Sequence, residues 1–106
     1  MFGRTVKSPY MLLSLPLTDS AQHHLPAVAH VDGSTRVQTV PDGSDSRFAR
    51  LLSHVGKMTG ASVVLNTSFN AAFEPMVCAP NDAVRSFYNM GLDVLLLDDF
   101  ILEKPL

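Results

Sequence analysis

The sequence predicts an α/β fold, a mixed twisted sheet with at least two helices, and three observations carry that expectation. Short apolar runs at 10–15, 61–65 and 92–97 have the length and residue types of strands. Two longer stretches, 48–58 and 80–90, repeat apolar residues at helical spacing. The order of these segments is strand, strand, helix, strand, helix, strand, an alternation typical of α/β chains. The first two strands are joined by a loop with no helical pattern, so antiparallel as well as parallel pairing is expected.

Taken in order, Tyr10 to Leu15 is apolar and stops before Pro16, as a buried strand would. Thr18 to Ala27 is polar, holds His23, His24 and Pro26, and reads as a loop, and Val28 to Val31 would begin the next element. Asp32-Gly33-Ser34 is turn chemistry, because glycine tolerates positive φ and the aspartate can bond the backbone ahead. From Thr35 to Val40 the residues alternate, with Thr35, Val37 and Thr39 on one face and Arg36, Gln38 and Val40 on the other. After a second loop at 41–45, Ser44, Asp45 or Ser46 could cap a helix whose stripe is Phe48, Leu51, Leu52, Val55 and Met58. Gly60 suits a left-handed stop. Ala61 to Leu65 is β-branched enough for a central strand, and Asn66 to Phe73 would be the loop at its carboxyl end, where open α/β sheets bind ligands. Pro80 fits the first turn of a second helix, Asp82 favours its dipole, and Ala83, Val84, Phe87 and Met90 form its buried stripe before a stop at Gly91. Leu92 to Leu97 is a strand closed by Asp98-Asp99, with Phe100 to Leu102 as a short edge.

Length and composition bound the functional classes. A chain of 106 residues makes one small domain. With 46% hydrophobic and 17% charged residues it has a globular composition. A formal net charge of −2, with no run of lysine and arginine, argues against general attraction to nucleic acid or anionic membrane. The single cysteine, Cys78, has no internal disulfide partner and sits in an apolar context that suggests a small core residue. No apolar run approaches the roughly 20 residues of a membrane span, and the first seven residues lack a signal-peptide core. A soluble, cytoplasmic protein is expected.

Two polar segments hold the candidate chemistry: His30-Val31-Asp32-Gly33-Ser34-Thr35-Arg36-Val37-Gln38, and Asn66-Thr67-Ser68-Phe69-Asn70 followed by Glu74-Pro75. Arg36 is placed mid-strand, and its planar fork of donors suits phosphate or carboxylate oxygens; an exposed sheet face or a structural ion pair is the alternative. Gln38 shares its face and could meet a ligand or water. Ser68 could donate to an anionic oxygen, aided by the N–H groups of Thr67, Ser68 and Phe69, but it has no nucleophile elbow around it, and on the residues alone an ordinary turn stabilised by its own Asn, Thr and Ser side chains is the better reading. His30 could touch substrate or be an incidental loop residue. His23-His24 has no third ligand at metal spacing, so a metal site within the chain is rejected. Asp32 reads as a turn former and Glu74 as a tie for the asparagine loop.

On these two motifs, in this order, the chain from about Ser8 to about Leu102 resembles the carboxyl-terminal part of the O-carbamoyltransferases, the family that modifies nodulation factors, cephamycins and aminoglycosides. The resemblance implies a partial YrdC-like domain across residues 1–106, truncated on its amino-terminal side. It implies that Arg36 and Ser68, with Gln38, Asn66 and Asn70, bind carbamoyl phosphate or carbamoyl-adenylate, the asparagines chiefly by shaping their loop. It also implies ATP and carbamoyl phosphate as substrates, a metal ion only in a separate amino-terminal domain, and a Kae1-like partner domain in cis or in trans. The basic segment that opens the family's domain would be represented only by Arg4 and Lys7. An exposed sheet edge would follow from truncation, with a tendency to form homo-oligomers. Two positions depart from the family pattern: Phe73 stands where a glycine is usual, and Ala79 where a capping threonine is usual.

The expected activity is that of an O-carbamoyltransferase fragment, inactive alone, in which carbamoyl phosphate is activated by ATP and the carbamoyl group passes to an acceptor hydroxyl. The alternatives are a non-catalytic remnant or split-enzyme subunit with weak nucleotide or carbamoyl phosphate binding, and a YrdC-like nucleotide- or RNA-binding module. The last lacks the basic stripe it would need.

Overall fold

The computed structural model describes residues 2, 5–41, 43–44 and 46–105. Arg4 and Asp45, expected above as a basic remnant and a candidate cap, lie outside the described residues. The chain divides into two units, Met1–Leu65 and Asn66–Leu106. The class is α/β, with helices α1 (Asp19–His24), α2 (Arg47–Thr59) and α3 (Pro80–Asn89) and strands β1 (Ser14–Pro16), β2 (Ser34–Arg36), β3 (Val94–Leu97) and β4 (Phe100–Glu103). The described strands form two separate antiparallel pairs, β1 with β2 and β3 with β4, where a single mixed sheet was expected.

In the first unit, β1 meets β2 with Ser14 opposite Arg36 and Pro16 opposite Ser34. The ladder runs beyond the strands through Leu17 N–H to Gly33 O (3.0 Å) and Thr39 N–H to Ser8 O (2.8 Å). Ser8 fastens this end a second time: its hydroxyl donates to Val37 O and its N–H to Thr39 Oγ1. Leu15, Leu17, Ala21 and Thr35 are buried here. The segment expected as a loop at 18–27 contains α1 instead. Thr18 caps it by accepting from Ala21 N–H, Asp19 lies in its first turn, and the two histidines end it. A single 3₁₀ turn, Pro26–Val28, follows.

Helix α2 begins and ends as its sequence requires. The Ser46 hydroxyl accepts from Ala49 N–H at 3.0 Å, and Gly60 closes the helix at φ +83°. Its apolar stripe, however, has no buried residue: Phe48, Leu51 and Met58 are exposed, and Leu52 and Val55 half-buried. The strand expected at Ala61–Leu65 is absent. Val63 N–H turns back to Ala61 O at 2.8 Å, a three-residue turn, and no neighbouring strand pairs with this run among the described residues.

The second unit has its own small core. Phe87 is fully buried between Ala83 of α3 and Leu95 of β3, with Phe69, Val77, Val84, Leu92, Leu97 and Leu102 packed around it. Helix α3 stops at Asn89, before Gly91, with Met90 as its cap. Lys104 completes that end, donating to Met90 O and lying 5.1 Å from the centroid of the Phe87 ring, so one cation serves both the helix C-terminus and an aromatic face. The β3–β4 turn is made by Asp98 and Asp99, with Asp98 at φ +52°. Cys78 is exposed, a correction to its expected place in a core, because the stretch before α3 runs along the surface. Among the described residues no helix is long and apolar enough to cross a membrane.

Candidate substrate-binding residues

The five predicted site residues fall in two groups, Arg36 and Gln38 in the first unit and Asn66, Ser68 and Asn70 in the second. Around Arg36 the predicted alternation holds. Thr35 turns inward and its hydroxyl donates to Val28 O at 2.6 Å, while Arg36 and Gln38 are exposed. The guanidinium of Arg36 has no hydrogen-bond or ion-pair partner among the described residues. Gln38 is partly a structural residue, since its Nε2 donates to Pro9 O at 3.1 Å across the ladder.

The turn that delivers this strand is built from side chains of the same motif. Gly33 takes φ +76°, and an added Cβ would lie 3.0 Å from the Gln22 side chain. Asp32 accepts from Ser34 N–H at 2.9 Å, the Asx-turn geometry expected of it. The Ser34 hydroxyl, then the Ser34 N–H, and the nearby His30 hold the Asp32 carboxyl below its ordinary range. Ser34 also meets His30 Nδ1 at 3.1 Å and Ser14 Oγ at 3.2 Å. His30 is therefore bound into the motif. Ser34 was not singled out from the sequence, although the Asp-x-Ser spacing of an Asx turn marks it.

In the second unit, Asn70 organises the loop. Its Nδ2 donates to Ala71 O (3.1 Å) and Glu74 O (3.2 Å), while Val77 N–H reaches Phe69 O (2.9 Å). Both amide hydrogens of Asn70 are thus used within the loop, which leaves its carbonyl oxygen for a ligand. Glu74 ties the loop through its backbone: its N–H donates to Ala71 O. Ser68 and Asn66 are exposed, and the Ser68 hydroxyl has no partner among the described residues.

Phe73 and Ala79, singled out in the sequence, have physical outcomes. Phe73 adopts φ +67°, a conformation that suits glycine, and its ring is 107% exposed. The backbone thus keeps the shape a glycine would take, and the ring points to water. Ala79 is the N-cap of α3 and offers no side-chain acceptor, yet half of a capping box remains, because Asp82 accepts from Ala79 N–H at 3.2 Å. Asp82 also pairs with Arg85 at 2.8 Å. Among the described residues no three His, Cys, Asp or Glu side chains cluster to hold a metal ion.

The sequence model of the carbamoyltransferase C-terminus family matches residues 1–104. An uncharacterized Synechocystis protein is 39% identical over 117 residues, covering 92% of this chain and 19% of its own length. Nodulation protein NolNO of Sinorhizobium fredii is 36% identical over 96 residues, covering 91% of this chain and 14% of that protein. The 3'-hydroxymethylcephem-O-carbamoyltransferase of Amycolatopsis lactamdurans is 35% identical over 99 residues, covering 93% and 19% respectively. The chain spans less than one fifth of the length of these curated relatives.

Proposed function

The chain belongs to the carbamoyltransferase C-terminus family, and from that membership we propose that it supplies the carbamoyl phosphate-binding part of an O-carbamoyltransferase. In the proposed reaction carbamoyl phosphate, ATP and one water give carbamoyl-adenylate, pyrophosphate and phosphate. The acceptor hydroxyl then attacks the carbamoyl carbon, a new C–O bond forms as the bond to the adenylate phosphate breaks, and AMP and the hydroxyl proton leave. A Kae1-like domain, in cis or in trans, would hold the acceptor. The cytoplasm, where ATP and carbamoyl phosphate are made, is the proposed compartment.

The observation that carries this reading is Arg36, an exposed guanidinium with no partner among the described residues, on a strand whose other face is anchored by Thr35. An ion pair would already have consumed its charge. Pairing with β1 and the Thr35 bond to Val28 fix the backbone from which the guanidinium reaches out, and a cation at a fixed point of the chain suits charge stabilisation of a phosphoryl or acyl group. Ser68 is proposed separately as a donor to the carbamoyl or phosphate end, on a loop that Asn70 stiffens. Asn66 and the Asn70 carbonyl are proposed to line that loop's substrate side, and Gln38 to flank Arg36.

Calorimetric titration of the full chain with carbamoyl phosphate, with and without a non-hydrolysable ATP analogue, tests the proposal. Saturable binding is expected, with a loss of at least about tenfold in Arg36→Ala, the order expected for a charged hydrogen bond. Equal binding by wild type and Arg36→Ala would remove Arg36 from the site.

A further inference from the structure

Which side chain faces Arg36 across the hairpin follows from the register of β1 and β2. Leu17 N–H reaches Gly33 O (3.0 Å) and Val37 N–H reaches Leu13 O (3.4 Å), so these two pairs belong to the hydrogen-bonded set of the ladder. Antiparallel pairs alternate, which makes Leu15 with Thr35 a bonded pair and leaves Ser14 with Arg36, and Pro16 with Ser34, as the non-bonded ones. In a non-bonded pair the Cα atoms lie about 4.5 Å apart and the side chains come closest. Leu15 and Thr35 are buried, so Ser14, Ser34 and Arg36 belong to the opposite face of the hairpin. Ser14 is exposed, and its Oγ lies 3.2 Å from Ser34 Oγ, its diagonal neighbour. A hydroxyl has one proton and two lone pairs, so Ser14 can accept from Ser34 and still donate to a ligand.

The terminal oxygens of a phosphoryl group diverge from one phosphorus and act as acceptors. A planar guanidinium fork engages two of them side by side, and a further oxygen needs a donor outside the plane of the fork. Ser14 is the hydroxyl that the register sets beside Arg36, where it interrupts the apolar run of Leu12, Leu13 and Leu15. We propose that Ser14 is a second substrate-binding residue, whose hydroxyl donates to a phosphoryl oxygen of carbamoyl phosphate while the Arg36 guanidinium holds the others. This rests on the reading of Arg36 as a substrate-binding residue and names its partner in the same site. Ser34 acts through Ser14: the 3.2 Å contact orients the Ser14 hydroxyl, so Ser34 is a positioning residue.

Calorimetric titrations of the full chain with carbamoyl phosphate, and separately with inorganic phosphate, test this on wild type, Ser14→Ala, Ser14→Thr, Arg36→Ala and the Ser14→Ala, Arg36→Ala double variant. Ser14→Ala should weaken both ligands by about tenfold, the order of a hydrogen bond to a charged group. Ser14→Thr keeps the hydroxyl on a residue that suits a strand and should bind as wild type does. The double variant should lose less than the product of the two single losses, because both side chains act on one phosphoryl group. Unchanged binding in Ser14→Ala, with Arg36→Ala impaired, overturns the role of Ser14 and leaves that of Arg36. A loss for carbamoyl phosphate alone puts Ser14 at the carbamoyl end and overturns the phosphoryl assignment. An equal loss in Ser14→Thr, or losses that simply multiply in the double variant, overturns the shared contact. Failure of folded wild type to bind either ligand sinks the reading of Arg36 and the role of Ser14 with it.

Discussion

Replacing Phe73 by glycine should stabilise the second unit. The residue sits at φ +67° with its ring fully in water, so the side chain gains nothing from burial while its Cβ crowds the following carbonyl. That conformation costs an L-residue about 1–2 kcal/mol. Glycine removes the cost but widens the unfolded ensemble, which takes back about 0.4–1 kcal/mol. The net gain is roughly 0.5–1 kcal/mol. A unit of the length of Asn66–Leu106 has a total stability of only about 2–6 kcal/mol at 0.05–0.15 kcal/mol per residue, so the gain is measurable. Phe73→Ala is the control, because it deletes the ring and keeps the Cβ at positive φ, and it should leave stability within about 0.5 kcal/mol of wild type. Urea unfolding followed by far-ultraviolet circular dichroism reads both, with comparable slopes required of all three proteins. If Phe73→Gly is no more stable than Phe73→Ala, the backbone at this position carries no strain. If Phe73→Ala is strongly destabilised, the ring has a packing partner and its exposure is wrong.

Three further outcomes are expected. Ala79→Thr completes the capping box that Asp82 already half provides and should raise stability by about 1 kcal/mol in the same urea assay, and no gain would show that α3 starts elsewhere. Phe87→Ala removes the one fully buried large side chain of the second unit at a cost of about 3–5 kcal/mol, comparable with that unit's whole stability, so amide exchange in β3 and β4 should lose its protection. Asp32 titrates below its ordinary value of 3.8 in the folded chain, so the unfolded chain takes up the proton first. Its contribution is therefore present above 3.8 and is lost as pH falls through the lower folded value, and the Ser34 amide resonance should move in that window in wild type and stay still in Asp32→Asn.

Much of this fold was legible where local chemistry decides. Ser46, Gly60, Pro80 and Asp82 place helix ends because capping groups and positive φ act within a few residues, and the outward turn of Arg36 follows from the two-residue period of a strand. What was missed depends on length or on partners. Helix α1 has six residues, too few to display a helical period, and its cap, Thr18, is a residue type equally common in loops. The run Ala61–Leu65 has strand composition, but a strand exists only beside another backbone, and composition cannot supply that. The stripe of α2 was read from its spacing, and spacing identifies an apolar face without saying that anything in the chain covers it. The same limit applies to the site. Arg36 and Ser68 were visible as polar residues at suggestive positions, whereas the bond of Ser34 to Ser14 on the neighbouring strand becomes visible only once the β1–β2 register is known.

The motif from His30 to Gln38 divides its polar residues by direction, and that division argues for a binding role. Inward-facing Thr35 is spent on the fold, anchoring to Val28, and the Gly33 turn is closed by backbone bonds; on the exposed face Gln38 also reaches back to Pro9 O. If the outward face were merely solvated, its polar groups would need no mutual order, because water satisfies an exposed hydroxyl or imidazole at no cost. Instead the Ser34 hydroxyl meets Ser14 Oγ and His30 Nδ1, Asp32 accepts from Ser34 N–H, and Arg36 has no partner among the described residues. Such order in water loses side-chain freedom for little gain in stability. An arrangement of that kind is understandable where a ligand uses the ordered face. The same reasoning exposes it to a sharp check: Ser34→Ala should cost the fold well under 1 kcal/mol yet weaken carbamoyl phosphate binding severalfold, and the opposite balance would make the cluster an element of the hairpin alone.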